Sequence, residues 1–222
     1  MQLFRLDASI NPEGSASHAI GDIVEGEWRS AHPGGTVRRR DLGSEPLPTH
    51  AWHAAVRAAR TPEGTRTERE RESLTLALEL AAELRSADAV LATVPLYNFG
   101  VAQHVKVWID LAIAGAETAT EPLLGGKPAV LAVVRGGAYG PGTPRDGWDH
   151  STGYLRRMFA DVWGADLTLV EREFTLVGVN PALDQFTDLA AQLKDAAHSA
   201  AKGAGRALAH GSRFAATVAP GS

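Results

Sequence analysis

The chain of 222 residues has room for one large α/β unit or two small ones, and its 44% hydrophobic content supports a substantial core. A formal net charge of -4 gives no basic face of the kind a nucleic-acid binder needs, and the lack of cysteine removes disulfides, thiolate metal sites and cysteine nucleophiles together. The opening "MQLFRLDAS" carries Arg5 and Asp7 too early for a signal-peptide core, and no apolar run approaches the roughly 20 residues that cross a bilayer, so a cytoplasmic protein is expected.

Residues 2–8 read as a short strand, followed by the small, turn-forming "SINPEGSAS" and then the helical pattern "SHAIGDIVEGEWRSAH". "TVRRRDL" is a second strand with too short a basic run to make a nucleic-acid face, and the prolines of "GSEPLP" stop regular pairing after it. Over residues 67–86, Leu74, Leu78, Leu80, Ala81 and Leu84 recur at helical spacing behind "TERE", whose acids sit at the positive end of the helix dipole. "DAVLATVPLY" is continuously apolar, as a parallel strand covered on both faces must be. Residues 101–114 are helical and "KPAVLAVVRGG" is a further buried strand. A helix over 154–163 follows, then "DLTLVEREFTLVG", a strand that turns amphipathic, and an Ala-rich helix over about 184–208. The alternation predicts an α/β fold with a five-stranded parallel sheet and helices on both faces. No internal repeat or second domain is visible; residues 1–210 are expected to form one domain and 211–222 a flexible tail.

In an open parallel sheet, ligands bind beyond the carboxyl ends of the strands. Three unusual loops meet that description. The first offers Ser9, Ser15 and Ser17 just before a helix, whose free N–H groups and positive end suit a phosphate monoester; alternatively Ser17 is only an N-cap. Walker and dinucleotide glycine fingerprints are absent. The second, "PLYNFG", combines the Asn98 amide, backbone groups after Pro95 and the rings of Tyr97 and Phe99, a set that can face a planar heteroaromatic ring or simply pack under the next helix. The third, over 135–142, has four glycines, which let backbone amides approach a flat ligand.

At these residues the chain resembles a known family. "PLYNFG" followed by "QHVKVWIDLAIAG", with "RGG" after the fourth strand and S-x5-S-x-S after the first, is similar to the flavodoxin-like FMN-dependent NADH azoreductases and related NAD(P)H:quinone oxidoreductases, over most of residues 2–205. The resemblance implies a flavodoxin-like fold, FMN at the carboxyl edge of the sheet, NADH or NADPH as electron donor, and a homodimer with the flavin near the interface. It implies that Ser9, Ser15 and Ser17, with the Ala16 N–H, hold the phosphate, and that Pro95, Leu96, Tyr97, Asn98 and Phe99 flank the isoalloxazine. Arg135, Gly136 and Gly137 fall beside the ring, the glycines through their backbone. Tyr139 stands where many relatives have histidine and is the candidate proton or hydrogen-bond donor. The implied reaction is ping-pong: NAD(P)H reduces the flavin and leaves, and a quinone, azo or related conjugated aromatic acceptor replaces it.

Three departures from the family pattern stand out. Ala16 replaces a glutamine, Val134 replaces a serine, and "AGAETATEPLLGG" is shorter than its counterparts and has no aromatic to cover the flavin, for which Trp148 is a candidate substitute. Two alternatives therefore stay open: an FMN reductase of specialised metabolism acting on one polycyclic aromatic substrate, and a flavodoxin-like binding protein without turnover. No metal site is expected from His50 and His53, or from Asp146, Asp149 and His150. There is no G-x-S-x-G nucleophile elbow. Trp108 reads as packing, and Tyr154, Phe159 and Trp163 as core or dimer contacts.

Overall fold

The computed structural model describes residues 1–11 and 13–211. The strands are β1 (Gln2–Asp7), β2 (Thr36–Asp41), β3 (Ala89–Pro95), β4 (Pro128–Val134) and β5 (Asp166–Arg172). They form one sheet in the order β2-β1-β3-β4-β5, every pair parallel. The chain winds outward from β1 in one direction and, after β2, crosses back to β3, so the strand order reverses between β1 and β3. That is where a crevice opens in such sheets.

Helices α1 (Ala16–Ala31) and α6 (Thr187–Ala209) cover one face, where Leu3, Leu91, Ala132 and Val170 of the sheet meet Ile20, Val24, Ala201 and Ala204. Gly205 lets the two helices close up: a Cβ there would lie 2.8 Å from the Val24 carbonyl. On the other face, α3 (Glu68–Ser86), α4 (Gln103–Ala114) and α5 (Thr152–Arg156) pack over Phe4, Leu6, Val90, Ala92 and Leu131. Trp108, fully buried as its position suggested, stands 5.4 Å from Trp163 and 6.2 Å from Phe159. Residues 157–162 widen into a π-helical stretch that carries Phe159 and Trp163 into this cluster.

The sheet edge explains the arginine run. Alternation along β2 sends Arg38 and Arg40 to Glu83 on α3, at 2.7 and 2.6 Å, and Arg39 to Glu25 on α1, at 2.7 Å. These cations are matched internally.

Three expectations differ from the structure. A further helix, α2 (Ala51–Arg60), precedes α3; its buried face of Ala51, Ala54, Ala55 and Ala58 is too small-sided to stand out as an apolar stripe. The fifth strand stops at Arg172, and residues 173–178 fold back onto the third loop. The final helix begins at Thr187, after a 3-10 segment over Pro181–Phe186. Apart from Gly211, the expected tail lies outside the described residues. No helix among the described residues is long and apolar enough to cross a membrane.

Candidate functional site

Three loops at the carboxyl edge of the sheet meet in one cavity of about 720 Å3, within the roughly 300–1,000 Å3 common for small-molecule sites. The loop after β1 supplies its polar end. Ser15 is the N-cap of α1, its Oγ accepting the His18 N–H at 3.3 Å and lying 3.0 Å from the Ser17 Oγ, while Ser17 is buried in the first turn. The cap is thus Ser15, not Ser17. Ser9, also buried, exchanges hydrogen bonds with the Asn11 backbone. The leading N–H groups of α1 have no acceptor within the helix, so hydroxyls and backbone donors gather at the positive end of a dipole.

The loop after β3 forms the wall. Leu96 donates its N–H to the Val134 carbonyl at 2.8 Å, which holds this loop against the next. Tyr97 to Gly100 is a tight turn closed by the Gly100 N–H on the Tyr97 carbonyl at 3.0 Å, with Asn98 at φ 48° and Phe99 at φ 67°. Two successive left-handed residues are the type I′ geometry. Asparagine tolerates it; phenylalanine is strained there.

The loop after β4 is clamped by a segment that periodicity had assigned to the fifth strand. The N–H groups of Phe174, Thr175 and Leu176 donate to the carbonyls of Gly137, Arg135 and Gly136 at 3.3, 3.2 and 3.1 Å. A Cβ on Gly136 would lie 2.6 Å from the Leu176 side chain, so a larger residue there would make Leu176 shift.

Of the residues singled out from sequence, Ser9, Ser15, Ala16, Ser17, Pro95, Leu96, Tyr97 and Gly136 line this one cavity. Asn98, Phe99, Arg135, Gly137 and Tyr139 stand in the same loops but outside its lining. Arg135 is buried and its guanidinium is engaged elsewhere, with Asp149 at 2.7 Å, Glu171 at 2.6 Å and the Thr152 hydroxyl at 3.0 Å. Burial opposes both charges, yet hydrogen bonds from Thr152, Ser151 and Arg135 hold Asp149 below its usual range. Asp149 is therefore a brace between loops. Among the described residues there is no cluster of three or more potential metal ligands.

The lining also includes Thr175, Leu176 and Val179, which the sequence reading missed. The signal was "GVNP": a glycine and an Asn-Pro pair mark the end of a strand. Next to them burial pushes the Glu173 carboxyl up, against the opposing hydrogen bond from the Tyr139 N–H and the charge of Arg135.

Trp148, the candidate substitute ring, belongs to an aromatic group built around Phe99 of the loop after β3. Trp148 meets Phe99 edge-on at 5.5 Å, Tyr139 lies 6.3 Å from Phe99, and Arg145 sits over both the Phe99 and Tyr139 rings. Phe99 and Trp148 are 40% and 51% exposed, so these rings present open apolar surface. The site as a whole offers anion-binding donors at one end and an apolar slot made by Pro95, Leu96, Val134, Leu176 and Val179, with the exposed Phe99 ring on the loop that forms its wall. That donor set fits a phosphorylated planar group.

Comparison with known proteins agrees with the fold. A family model described as a flavodoxin-like fold matches residues 1–202. An FMN-dependent NADH:quinone oxidoreductase of Frankia alni is 38% identical over 202 residues, covering 89% of this chain and 95% of that protein. Its counterpart in Streptomyces avermitilis is 35% identical over 222 residues, covering 96% and 99%. Among solved structures, the azoreductase from Bacillus anthracis superposes with a TM-score of 0.75 at 22% identity, covering 93% of this chain and 99% of that one, a likeness of fold.

Proposed function

From the premise that this chain belongs to the flavodoxin-like family of FMN-dependent NADH:quinone oxidoreductases, we propose that the cavity holds FMN, its phosphate at the Ser9–Ser17 loop and its ring between the loops after β3 and β4. The chain is an oxidoreductase that takes electrons from NAD(P)H and passes them to quinone or azo acceptors. When bound, FMN supplies the hydride chemistry. The protein supplies position. Ser15 and Ser17 would turn their hydroxyls to the phosphate, while the Leu96 N–H on the Val134 carbonyl and Leu176 beside Gly136 hold in place the two loops that would flank the ring.

The single observation that supports this reading is the convergence of an N-capped helix start and an apolar slot in one cavity at the strand-order reversal. Residues 1–210 act in this proposal as one cofactor-binding unit. Phe99, Trp148 and Tyr139 form the platform on which a flat acceptor lies, Tyr139 presenting its hydroxyl as hydrogen-bond donor. We further propose that two copies pair with these exposed rings near the interface, which light scattering of the purified protein measures directly.

The test of the cofactor assignment is the visible spectrum of the purified protein with added FMN, before and after anaerobic NADH. A bound yellow chromophore that bleaches is the expected outcome. A protein that takes up no FMN overturns the cofactor site, and one that binds FMN but does not bleach overturns turnover and leaves the binding-protein alternative.

A further inference from the structure

A second cavity, of about 580 Å3, adjoins the first and shares Gly14, Ser15, Ala16 and Thr175 with it. It lies toward the α1 and α6 face, with Arg172 at the end of β5 among its walls. Its charged groups fall into two sets. In one, every cation is matched: Arg5 meets Asp7 at 2.9 Å and Asp22 at 2.7 Å, and Arg39 meets Glu25 at 2.7 Å. The remaining acid, Asp41, accepts the Gly43 N–H at 2.9 Å.

The other set is Arg172, Lys194, His18 and His198, drawn from β5, α1 and α6. Neither Arg172 nor Lys194 has a carboxylate within ion-pair distance among the described residues. The Arg172 Nε, His18 Nε2 and His198 Nε2 atoms are all buried and all without a hydrogen-bond partner. Arg5 and Arg135, more deeply buried than Arg172, are each held by several carboxylates. Burial lowers Arg172 with no acid to offset it. Burial also lowers His198; the charges of Arg172, Lys194 and Lys202 act in the same direction, and Asp195 opposes them.

Arg172, His18 and His198 are half-buried and Lys194 is exposed, and with no carboxylate placed beside the two cations the arrangement is a donor set lacking its acceptor. Cationic and imidazole side chains from three elements, lining one polar cavity, match an oxyanion with several acceptor atoms. We propose that Arg172, His18, His198 and Lys194 form a second anion site, specific for a phosphoryl-class dianion, distinct from the position proposed for the flavin phosphate. The dianion has two sources of the same chemistry: free phosphate, or the 2′-phosphate that distinguishes NADPH from NADH.

The test uses the FMN-loaded protein, so that the flavin already fills its own phosphate position, and flavin absorbance reports loading separately from phosphate binding. Thermal unfolding is followed during titration with inorganic phosphate against sodium chloride at matched ionic strength. A saturable rise in Tm with phosphate alone is expected. Arg172→Met abolishes the rise and, without phosphate, is about as stable as the parent, because no described carboxylate loses an ion-pair partner. His198→Asn keeps Arg172 and weakens the half-saturating phosphate concentration several-fold, which keeps the proposal open to refutation should the Met variant not fold. A phosphate response that is absent, or identical in the parent and in these variants, overturns the proposal. With the response established, a roughly tenfold rise in KM for NADPH but not NADH in His198→Asn assigns the site to the dinucleotide, and unchanged KM for both assigns it to free phosphate.

Discussion

The Tyr97 hydroxyl accepts the Ile10 N–H at 3.2 Å, tying the loop after β3 to the loop after β1 across the mouth of the larger cavity. One ring thus couples the proposed phosphate end to the proposed ring slot. Tyr97→Phe keeps the ring and deletes the tether, a hydrogen bond worth about 1 kcal/mol. FMN affinity, measured by fluorescence titration of the apoprotein, should fall roughly three- to tenfold with little change in Tm. Unchanged affinity would show that the loops keep their spacing without it.

Asn98 stands at φ 48° in the turn closed by Gly100, and its side chain makes no hydrogen bond to other described residues. Asparagine suits that left-handed position. Asn98→Gly should therefore retain FMN, whereas Asn98→Ala should lose about 1 kcal/mol of stability and much of the bound flavin. Equal losses in both variants would point instead to a direct amide contact with the ring.

Gly43 touches the backbone of the loop after β1: a Cβ there would lie 1.8 Å from the Ser9 carbonyl oxygen. Because backbone cannot yield as a side-chain tip can, Gly43→Ala should displace Ser9, cost roughly 1–3 kcal/mol in urea denaturation and lower FMN retention. Gly64→Ala is the control, since a Cβ at Gly64 meets nothing within 4 Å. Matching FMN retention in the two variants would remove Gly43 as a support of the site.

Glu25 joins Arg5 and Arg39 beneath the first loop. Burial by itself would raise this carboxyl, but hydrogen bonds from Arg29, Arg39 and Arg5 bring it down from 4.5 to about 2. A folded-state value below the unfolded one adds stability that is complete above 4.5 and disappears as the pH falls to about 2. The parent should lose on the order of 2–3 kcal/mol through this group across that window. Glu25→Gln should start less stable at neutral pH, where Arg5 loses a partner, and show a shallower acid slope in urea melts. Parallel slopes would assign the acid sensitivity to other carboxyls.

Local patterns in the chain were enough to read the α/β alternation, the parallel sheet and the two ends of the cavity. Each of those rests on local regularities: the unbroken apolar runs of β3 and β4, the helical spacing of Leu80 and Leu84, and the serines placed ahead of α1. The capping box of Thr67 and Glu70 is likewise a matter of residues three apart. The tertiary structure alone decided which groups face one another. Residues 173–178 could pass for a continuing strand because their hydrogen bonds run to carbonyls nearly forty positions away, on Arg135, Gly136 and Gly137. The engagement of Arg135 by Asp149 and Glu171, and the isolation of Arg172 among His18, Lys194 and His198, are set by where distant elements pack. Periodicity reports burial along a single element, whereas charge pairing depends on contacts between elements far apart in the chain, which no local pattern encodes.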